Sequence, residues 1–138
     1  KLRYKIDNKQ FNKIKNQKVV SIQRRSKYLL INLKKNFTIL AHLGMTGKFF
    51  VIDNNKKHKT SFYYALKKND SKHDHITFFF NKKIKLIYND VRRFGFIKIY
   101  SNKSVLNSEH LAALGPEPLS SNFNLSYFDK YILNKKKN

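Results

Sequence analysis

Two arginines and a phenylalanine stand together in Arg92-Arg93-Phe94-Gly95, directly after the run Tyr88-Asn89-Asp90-Val91. Arginine is scarce in this chain: four of its five arginines form two adjacent pairs, and nearly all other basic residues are lysines. A guanidinium binds phosphate through two parallel hydrogen bonds and stacks on bases, whereas an ammonium acts as a point charge. A turn that carries this group beside an aromatic ring is suited to insertion into a nucleic-acid duplex. The alternative is a turn arginine that pairs with Asp90.

A second candidate for chemistry is Lys27, which follows the other arginine pair in Arg24-Arg25-Ser26-Lys27-Tyr28-Leu29-Leu30. On a strand, its side chain would share a face with Leu29 and Ile31. An ammonium on a core face either extends past the strand end to solvent or serves a buried purpose. In the second case Lys27 is a candidate proton shuttle. The spacing leaves both interpretations open.

The sequence His42-Leu43-Gly44-Met45-Thr46-Gly47 ends an apolar run in a loop framed by two glycines. Met45 is the only methionine of the chain. Its flexible, polarisable side chain is suited to filling the gap left by a displaced base. A buried loop methionine is the alternative.

A third polar motif, Lys72-His73-Asp74-His75, begins a strand. His73 and His75 are predicted to point the same way, but a third ligand at suitable spacing is not apparent, so no metal site is predicted. A phosphate contact or a hydrogen-bonded strand end is favoured. The chain has no cysteine, which excludes disulfides, thiol nucleophiles and cysteine-ligated zinc within it. Paired carboxylates, a phosphate-binding glycine loop and a Ser-His-Asp pattern cannot be assembled either.

The charge of the chain points to a polyanionic partner. The formal net charge is +22, from 30 Lys and Arg against 8 Asp and Glu. Part of this excess can reflect an AT-rich genome, which over-supplies lysine, asparagine and isoleucine. With 138 residues, the chain is long enough for one domain with a real core. The longest apolar runs are too short to span a bilayer and no signal segment opens the chain, so an intracellular soluble protein is expected.

Short apolar runs rich in β-branched and aromatic residues predict seven strands. These runs are Val19–Ile22, Tyr28–Leu33, Phe37–Leu43, Gly47–Ile52, Ile76–Phe80, Ile84–Tyr88 and Phe96–Tyr100. Residues 53–73 are polar and lysine-rich and are predicted to form a flexible insertion. Seven short strands joined by tight turns favour an antiparallel sandwich or barrel.

The last third of the chain has helical spacing. A helix is predicted over Val105–Leu114, with Leu106, Leu111 and Leu114 as its apolar stripe and Gly115-Pro116-Glu117-Pro118 as its stop. A second helix is predicted over Asn124–Lys136. Because this run ends without a cap and Lys1 is not a methionine, both ends of the sequence look cut.

Five motifs taken together resemble bacterial formamidopyrimidine-DNA glycosylase in order and approximate spacing. They are residues 24–30, 42–47, 72–75, 90–95 and Leu114-Gly115-Pro116-Glu117-Pro118-Leu119. The resemblance implies a mainly β fold: an antiparallel two-layer β-sandwich, eight-stranded in the family, over residues 1–119. Short helices follow, and residues 120–138 would form the first helix of a helix–two-turn–helix DNA-binding domain.

The resemblance also implies a function and a partner. The family acts in base-excision repair as a bifunctional DNA glycosylase and AP lyase, which removes 8-oxoguanine and formamidopyrimidines from duplex DNA and then nicks the strand. The expected partner is damaged double-stranded DNA, bound by a monomer in the bacterial cytoplasm, with no membrane involved.

The resemblance assigns roles to residues already singled out. Lys27 matches the family lysine that donates a proton in β-elimination and contacts phosphate. Met45, Arg92 and Phe94 match the three side chains that fill the void left by the everted nucleotide, with Arg92 facing the orphaned cytosine. The positions that match DNA contacts or neighbour a phosphate are His42, His73, Arg93 and Lys135.

One departure from the family concerns the nucleophile, which is an N-terminal proline followed by glutamate. This sequence begins Lys1-Leu2-Arg3. A fragment without the opening helix is therefore predicted, and as written it is expected to be inactive. No cofactor is expected in this chain; one zinc is expected in the family's C-terminal zinc finger. The alternatives are an endonuclease VIII-type glycosylase for oxidised pyrimidines and a non-catalytic, basic nucleic-acid-binding β domain.

Overall fold

The computed structural model describes residue 2 and residues 4–54, 56–58, 71–80 and 83–133. Within these residues, eight strands form two four-stranded antiparallel sheets. The strands are β1 (Val19–Arg25), β2 (Tyr28–Leu33), β3 (Phe37–His42), β4 (Gly47–Asp53), β5 (Lys56–His58), β6 (Asp74–Phe80), β7 (Ile84–Asp90) and β8 (Phe96–Ser101). The antiparallel two-layer fold predicted from the sequence is confirmed.

The order of the strands places two loops, each of which crosses from one sheet to the other, at the same end of the sandwich. The first sheet has the order β1-β2-β3-β8 and the second has the order β5-β4-β7-β6. Residues 43–46 lead from β3 into β4, and residues 91–95 lead from β7 back into β8. Because β3 pairs with β8 and β4 pairs with β7, both crossing loops lie side by side.

The main core lies between the two sheets, as period-two alternation requires. The first sheet contributes apolar side chains such as Ile31, Ile39 and Ile97, and the second contributes Tyr88, which is fully buried. A second apolar cluster lies on the outer face of the first sheet. It comprises Tyr28, Leu30, Leu40, Phe96, Val105 and Leu111. The segment after β8 therefore covers this face instead of leaving it to solvent.

The predicted helix over residues 105–114 is wrong, because the chain forms consecutive turns there. Backbone N–H groups donate in steps of three, from Ser108 to Val105 (3.2 Å) and from Leu111 to Ser108 (3.0 Å). Val105, Ser108 and Leu111 are buried, whereas Leu106, in the predicted stripe, is 63% exposed. Serine and asparagine in this segment favour local turns over a helix, so the three-residue step prevails.

Two α-helices lie in the described residues: α1 (Asn8–Lys13) and α2 (Leu125–Leu133). The sequence prediction missed α1, which begins where Asp7 accepts hydrogen bonds from the backbone N–H of Lys9 and Gln10. Helix α2 lies inside the predicted helical run and begins where Asn124 accepts from the Tyr127 backbone. Strand β5 was also missed, inside the predicted flexible insertion 53–73, of which residues 55 and 59–70 lie outside the described part.

Candidate nucleic-acid interface

The two crossing loops pack backbone against backbone at one end of the sandwich. Gly44 has a φ of +60°, and a Cβ added there would come within 2.9 Å of the Gly95 nitrogen. A glycine is therefore required at Gly44 for both reasons, conformation and space. This contact fixes the distance between the β3–β4 loop and the β7–β8 loop.

A single buried carboxylate, Asp90 at the end of β7, ties the two loops together. Its Oδ1 accepts from the Thr46 hydroxyl at 2.5 Å. Its Oδ2 accepts from the Gly95 backbone N–H at 2.9 Å and from the Tyr88 hydroxyl at 3.1 Å. Burial alone would raise the pKa of Asp90, but these hydrogen bonds, together with one from the Arg93 backbone, outweigh burial and lower it. The carboxylate is therefore held charged between the loops.

The same hydrogen-bond network reaches the loop tips. The Thr46 hydroxyl accepts from the Arg92 backbone N–H at 3.0 Å. Above it, the Arg92 Nη1 donates to the Met45 Sδ at 3.0 Å, and the Arg92 Cζ lies 4.6 Å from the centre of the Phe94 ring. Met45 is 64% exposed and Phe94 is 43% exposed. The structure thus brings the three predicted side chains together on an exposed tip.

The Arg92 side chain does not form the turn pairing that the sequence left open as an alternative. Its guanidinium contacts Met45 and Phe94, whereas the Asp90 carboxylate accepts from other donors. The neighbouring Arg93 is exposed and has a φ of 61°, an unusual conformation for a residue with a side chain. The chain therefore turns sharply between the two arginines.

Lys27 lies in a turn and not on a strand, so the predicted face shared with Leu29 and Ile31 is wrong. Ser26 and Lys27 form the two-residue connection between β1 and β2, and Ser26 has a φ of 53°. Tight hairpins need a positive φ at such positions. The Lys27 side chain is exposed, with its Nζ 5.8 Å from the centre of the Tyr28 ring.

A charged clamp holds the Ser26-Lys27 turn against the segment that precedes α2. Glu117 Oε1 accepts from Arg25 Nη1 and from the Ser26 backbone N–H, each at 2.7 Å. The other Arg25 nitrogen donates to the carbonyls of Leu114 and Gly115. The hydrogen bond from Arg25, followed by that from Ser26, lowers the pKa of Glu117. Between turn and segment lies an open groove of about 750 Å³.

The sequence analysis missed this role of Glu117, which it treated as part of a helix stop and of one family motif. The sequence did contain one signal. Glu117 lies between two prolines in a chain with 8 acidic residues and 30 lysines and arginines, so an ion pair with a basic side chain is expected.

We expect Glu117→Gln to loosen the Ser26-Lys27 turn, because an amide keeps the size of the side chain but loses the charge that Arg25 and the Ser26 N–H bind. Amide hydrogen exchange at Ser26 and Lys27 should speed up, while exchange within β3 stays unchanged. Glu109→Gln, which removes a surface carboxylate from Lys98, is the matched control. Unchanged exchange at the turn in Glu117→Gln would contradict the clamp.

A cluster of rings lies beside Lys27 on the outer face of the first sheet; we call Tyr28, His42, Phe96 and His110 the histidine–aromatic cluster. The His42 ring lies 5.3 Å from Tyr28 and 5.5 Å from Phe96. The His110 ring lies 4.4 Å from Phe96. Burial, and then the charge of Lys27, lowers the pKa of His42. His110 was not singled out in the sequence, because a lone histidine in a predicted helix carries no spacing signal.

His73 and His75 do not share a strand face, contrary to the prediction. His73 ends a short 3₁₀ turn (Ser71–His73), and β6 begins only at Asp74 with an irregular register before Ile76. The His75 Nε2 lies 2.8 Å from the Asp90 carbonyl oxygen, so His75 supports the β7 end of the loop network. Among the described residues, no three His, Asp or Glu side chains are grouped to hold a metal ion. Lys135 lies outside the described residues.

Comparisons with known proteins agree on one family. The model of the formamidopyrimidine-DNA glycosylase N-terminal domain matches residues 1–97. The formamidopyrimidine-DNA glycosylase of Rickettsia bellii is 38% identical over 135 residues, which cover 98% of this chain and 45% of the relative. The enzyme of that name from Rhodopseudomonas palustris is 35% identical over 119 residues, covering 86% and 41% of the two chains. This chain thus spans less than half the length of these relatives.

Solved structures give the same answer. Lactococcus lactis Fpg in complex with DNA containing FAPY-dG has a TM-score of 0.72 and 28% identity, over 92% of this chain and 43% of that one. The same figures hold for its complex with DNA containing an abasic site.

None of the helices in the described residues has the length and apolar character needed to span a membrane.

Proposed function

The chain belongs to the formamidopyrimidine-DNA glycosylase family, and on that premise we propose that it takes part in base-excision repair by binding damaged duplex DNA and inserting its loop tip where a nucleotide is everted. The relatives carry the glycosylase name, and the similar Lactococcus structures hold DNA with a FAPY-dG or an abasic site. One observation of this chain carries the proposal: Met45, Arg92 and Phe94 converge, exposed, on loops braced by Asp90.

The physical argument concerns the cost of eversion. Taking a nucleotide out of the stack costs a few kcal/mol, and a side chain inserted into the gap partly offsets that cost. A thioether and a ring supply apolar contact area, while a guanidinium both donates hydrogen bonds and stacks. The loop tip combines all three, so Arg92 would face the orphaned base and its two neighbours would fill the void.

The other predicted residues take supporting roles in this proposal. Lys27 would contact a phosphate and deliver the proton in β-elimination, since it projects from a turn held by Glu117. His42 and His73 would contact the DNA backbone, and Arg93 would lie next to a DNA phosphate. Lys135, outside the described residues, would do the same.

We further propose that the complete enzyme removes 8-oxoguanine and formamidopyrimidines and has AP lyase activity. The division into a sandwich over residues 1–119 and the start of a DNA-binding domain over 120–138 is part of this proposal. It is supported by the exposed aromatics of the second segment, Phe123, Phe128 and Tyr131, which would pack against such a domain. The zinc that the family resemblance implies also remains a proposal.

The test compares two duplexes, one with an abasic analogue opposite cytosine and one intact, at the same salt concentration. We expect this chain to prefer the abasic duplex by about tenfold or more, since filling a ready-made void avoids at least about 1.4 kcal/mol of unstacking. Arg92→Ala should abolish the preference, measured by fluorescence anisotropy.

Arg24→Ala is the matched control, because Arg24 is exposed and donates only to the nearby Ser26 carbonyl among the hydrogen bonds described. It should weaken binding to both duplexes by a similar factor and leave the preference intact. Equal binding of both duplexes by the unmodified chain would instead favour the alternative function, a basic β domain that follows phosphates without eversion.

A further inference from the structure

The histidine–aromatic cluster has a chemical property that the proposed insertion does not use. Two imidazoles, His42 and His110, lie 5.5 Å and 4.4 Å from the same Phe96 ring, centre to centre, near the exposed Lys27. We propose that His42 and His110 form a proton-accepting pair, which takes up one proton from solvent when a phosphodiester binds beside Lys27. The proposal rests on the proposed function to the extent that it takes a DNA phosphate as the ligand.

The geometry places the pair just behind a surface that an anion can reach. The Tyr28 ring lies beneath the Lys27 ammonium, and it is 5.3 Å from His42 and 5.9 Å from His110, centre to centre. The His110 side chain is only 11% exposed, and its Nε2 lies 3.2 Å from Glu109 Oε1. A charged His110 would therefore find an acceptor already in place, whereas the half-buried His42 is close enough to Lys27 for the lysine charge to lower its pKa.

Burial and the charged groups around the pair disfavour the charged form of both rings before an anion arrives. Burial lowers the pKa of His42, and so does Lys27, while Asp90 raises it. Burial lowers the pKa of His110, then Lys98 lowers it, Glu109 raises it, and His42 and Lys27 lower it further. Tyr4, whose ring lies 6.3 Å from His110, and Tyr28 are the other titratable neighbours. Burial opposes a positive charge on both rings, and around His110 the two lysines outnumber the one glutamate.

A bound phosphodiester counters the lowering of the histidine pKa because it adds a negative charge beside Lys27. The imidazolium becomes favourable, so binding takes up a proton and tightens as the pH falls. As the pH falls, the affinity for the phosphodiester begins to rise near the pKa that the histidine has in the complex. The rise ends below the pKa that the histidine has in the free chain. Each charged ring disfavours the other, so we expect one proton per phosphate and at most a tenfold gain per pH unit.

The experiment measures the dissociation constant for an undamaged duplex from pH 8 to pH 5.5 at constant ionic strength. For the unmodified chain, we expect affinity to rise about three- to tenfold between pH 7.5 and pH 6. His42→Gln should lose this rise. His110→Phe keeps a ring against Phe96 but removes the competing charge, so the rise should move to higher pH.

His58→Gln is the control, because His58 is an exposed residue on β5, and it should retain the full rise. An identical pH dependence in the unmodified chain and in His42→Gln, or an unshifted dependence in His110→Phe, would overturn the proposal. Imidazole titration by NMR, with and without duplex, tests the unmodified chain directly. The pKa of His42 should rise on binding, and an unchanged value would refute the pair.

Failure of this proposal can be distinguished from failure of the proposed function. The pH experiment uses intact duplex and the Lys27 face, whereas the insertion experiment measures an abasic preference that depends on Arg92. A chain can lose one behaviour and keep the other.

Discussion

Asp90→Ala is expected to lower the free energy of unfolding by about 3–5 kcal/mol and to remove the abasic-site preference. The substitution leaves the Gly95 N–H and the Tyr88 hydroxyl without their acceptor in a buried place, and each such group costs about 1–3 kcal/mol. It also releases Thr46, which holds the Arg92 backbone. Urea denaturation followed by circular dichroism measures the stability, and anisotropy measures the preference.

Asp90→Asn separates charge from shape. An asparagine fills the same volume but directs an NH₂ group at hydrogen-bond donors on one side, so a smaller loss of about 1–3 kcal/mol is expected. Asp53→Asn is the matched control, because Asp53 accepts from an exposed neighbour, Asn54; its effect should be within about 0.5 kcal/mol. Equal effects at both positions would contradict the central role of Asp90.

The Asp90 contribution also has a defined pH dependence. Because the folded-state pKa of Asp90 is lowered, its stabilising effect is present above the unfolded pKa of about 3.9 and is lost as the pH falls through the folded value. The stability difference between the unmodified chain and Asp90→Asn should therefore be constant near pH 7 and shrink below about pH 4. A difference that grows in acid would contradict the assigned direction.

The β architecture was accessible from sequence because period-two alternation is a local signal. All seven predicted runs coincide with strands, and several extend further in the structure, as at Val19–Arg25. Strand β5 and helix α1 escaped because three residues of lysine and histidine, or a six-residue polar helix, carry too little periodicity. The predicted helix over residues 105–114 failed because burial of that segment follows the outer face of a sheet, which local spacing cannot reveal.

The candidate site was likewise predicted only in part from the sequence. That Met45, Arg92 and Phe94 lie together followed from recognising several motifs at once, and their roles stay predictions. The sequence did not reveal the groups that hold these three side chains in place. Asp90 looked like a partner for arginine, whereas its Oδ1 accepts from Thr46, which becomes its neighbour only when β4 pairs with β7. Long-range contacts between short polar side chains leave no pattern along the chain.

Gly95→Ala is the second substitution with a large expected effect. Gly95 is buried at the end of the loop that leads into β8, and a methyl group there would overlap the Tyr88 hydroxyl and the His42 carbonyl oxygen. Neither can retreat easily, because the carbonyl belongs to the paired strand β3 and the hydroxyl donates to Asp90. We expect a loss of about 2–4 kcal/mol in the free energy of unfolding, together with loss of the abasic preference.

Gly115→Ala provides the control for this substitution. A methyl group at Gly115 would meet only the outer end of the Tyr127 side chain, which can rotate away, so the expected loss is below about 1 kcal/mol. Urea denaturation of both variants, with anisotropy on abasic and intact duplexes, makes the comparison. If Gly95→Ala were as stable as Gly115→Ala and kept the preference, the two loops would not need their close contact, and the tip would be positioned by some other part of the chain.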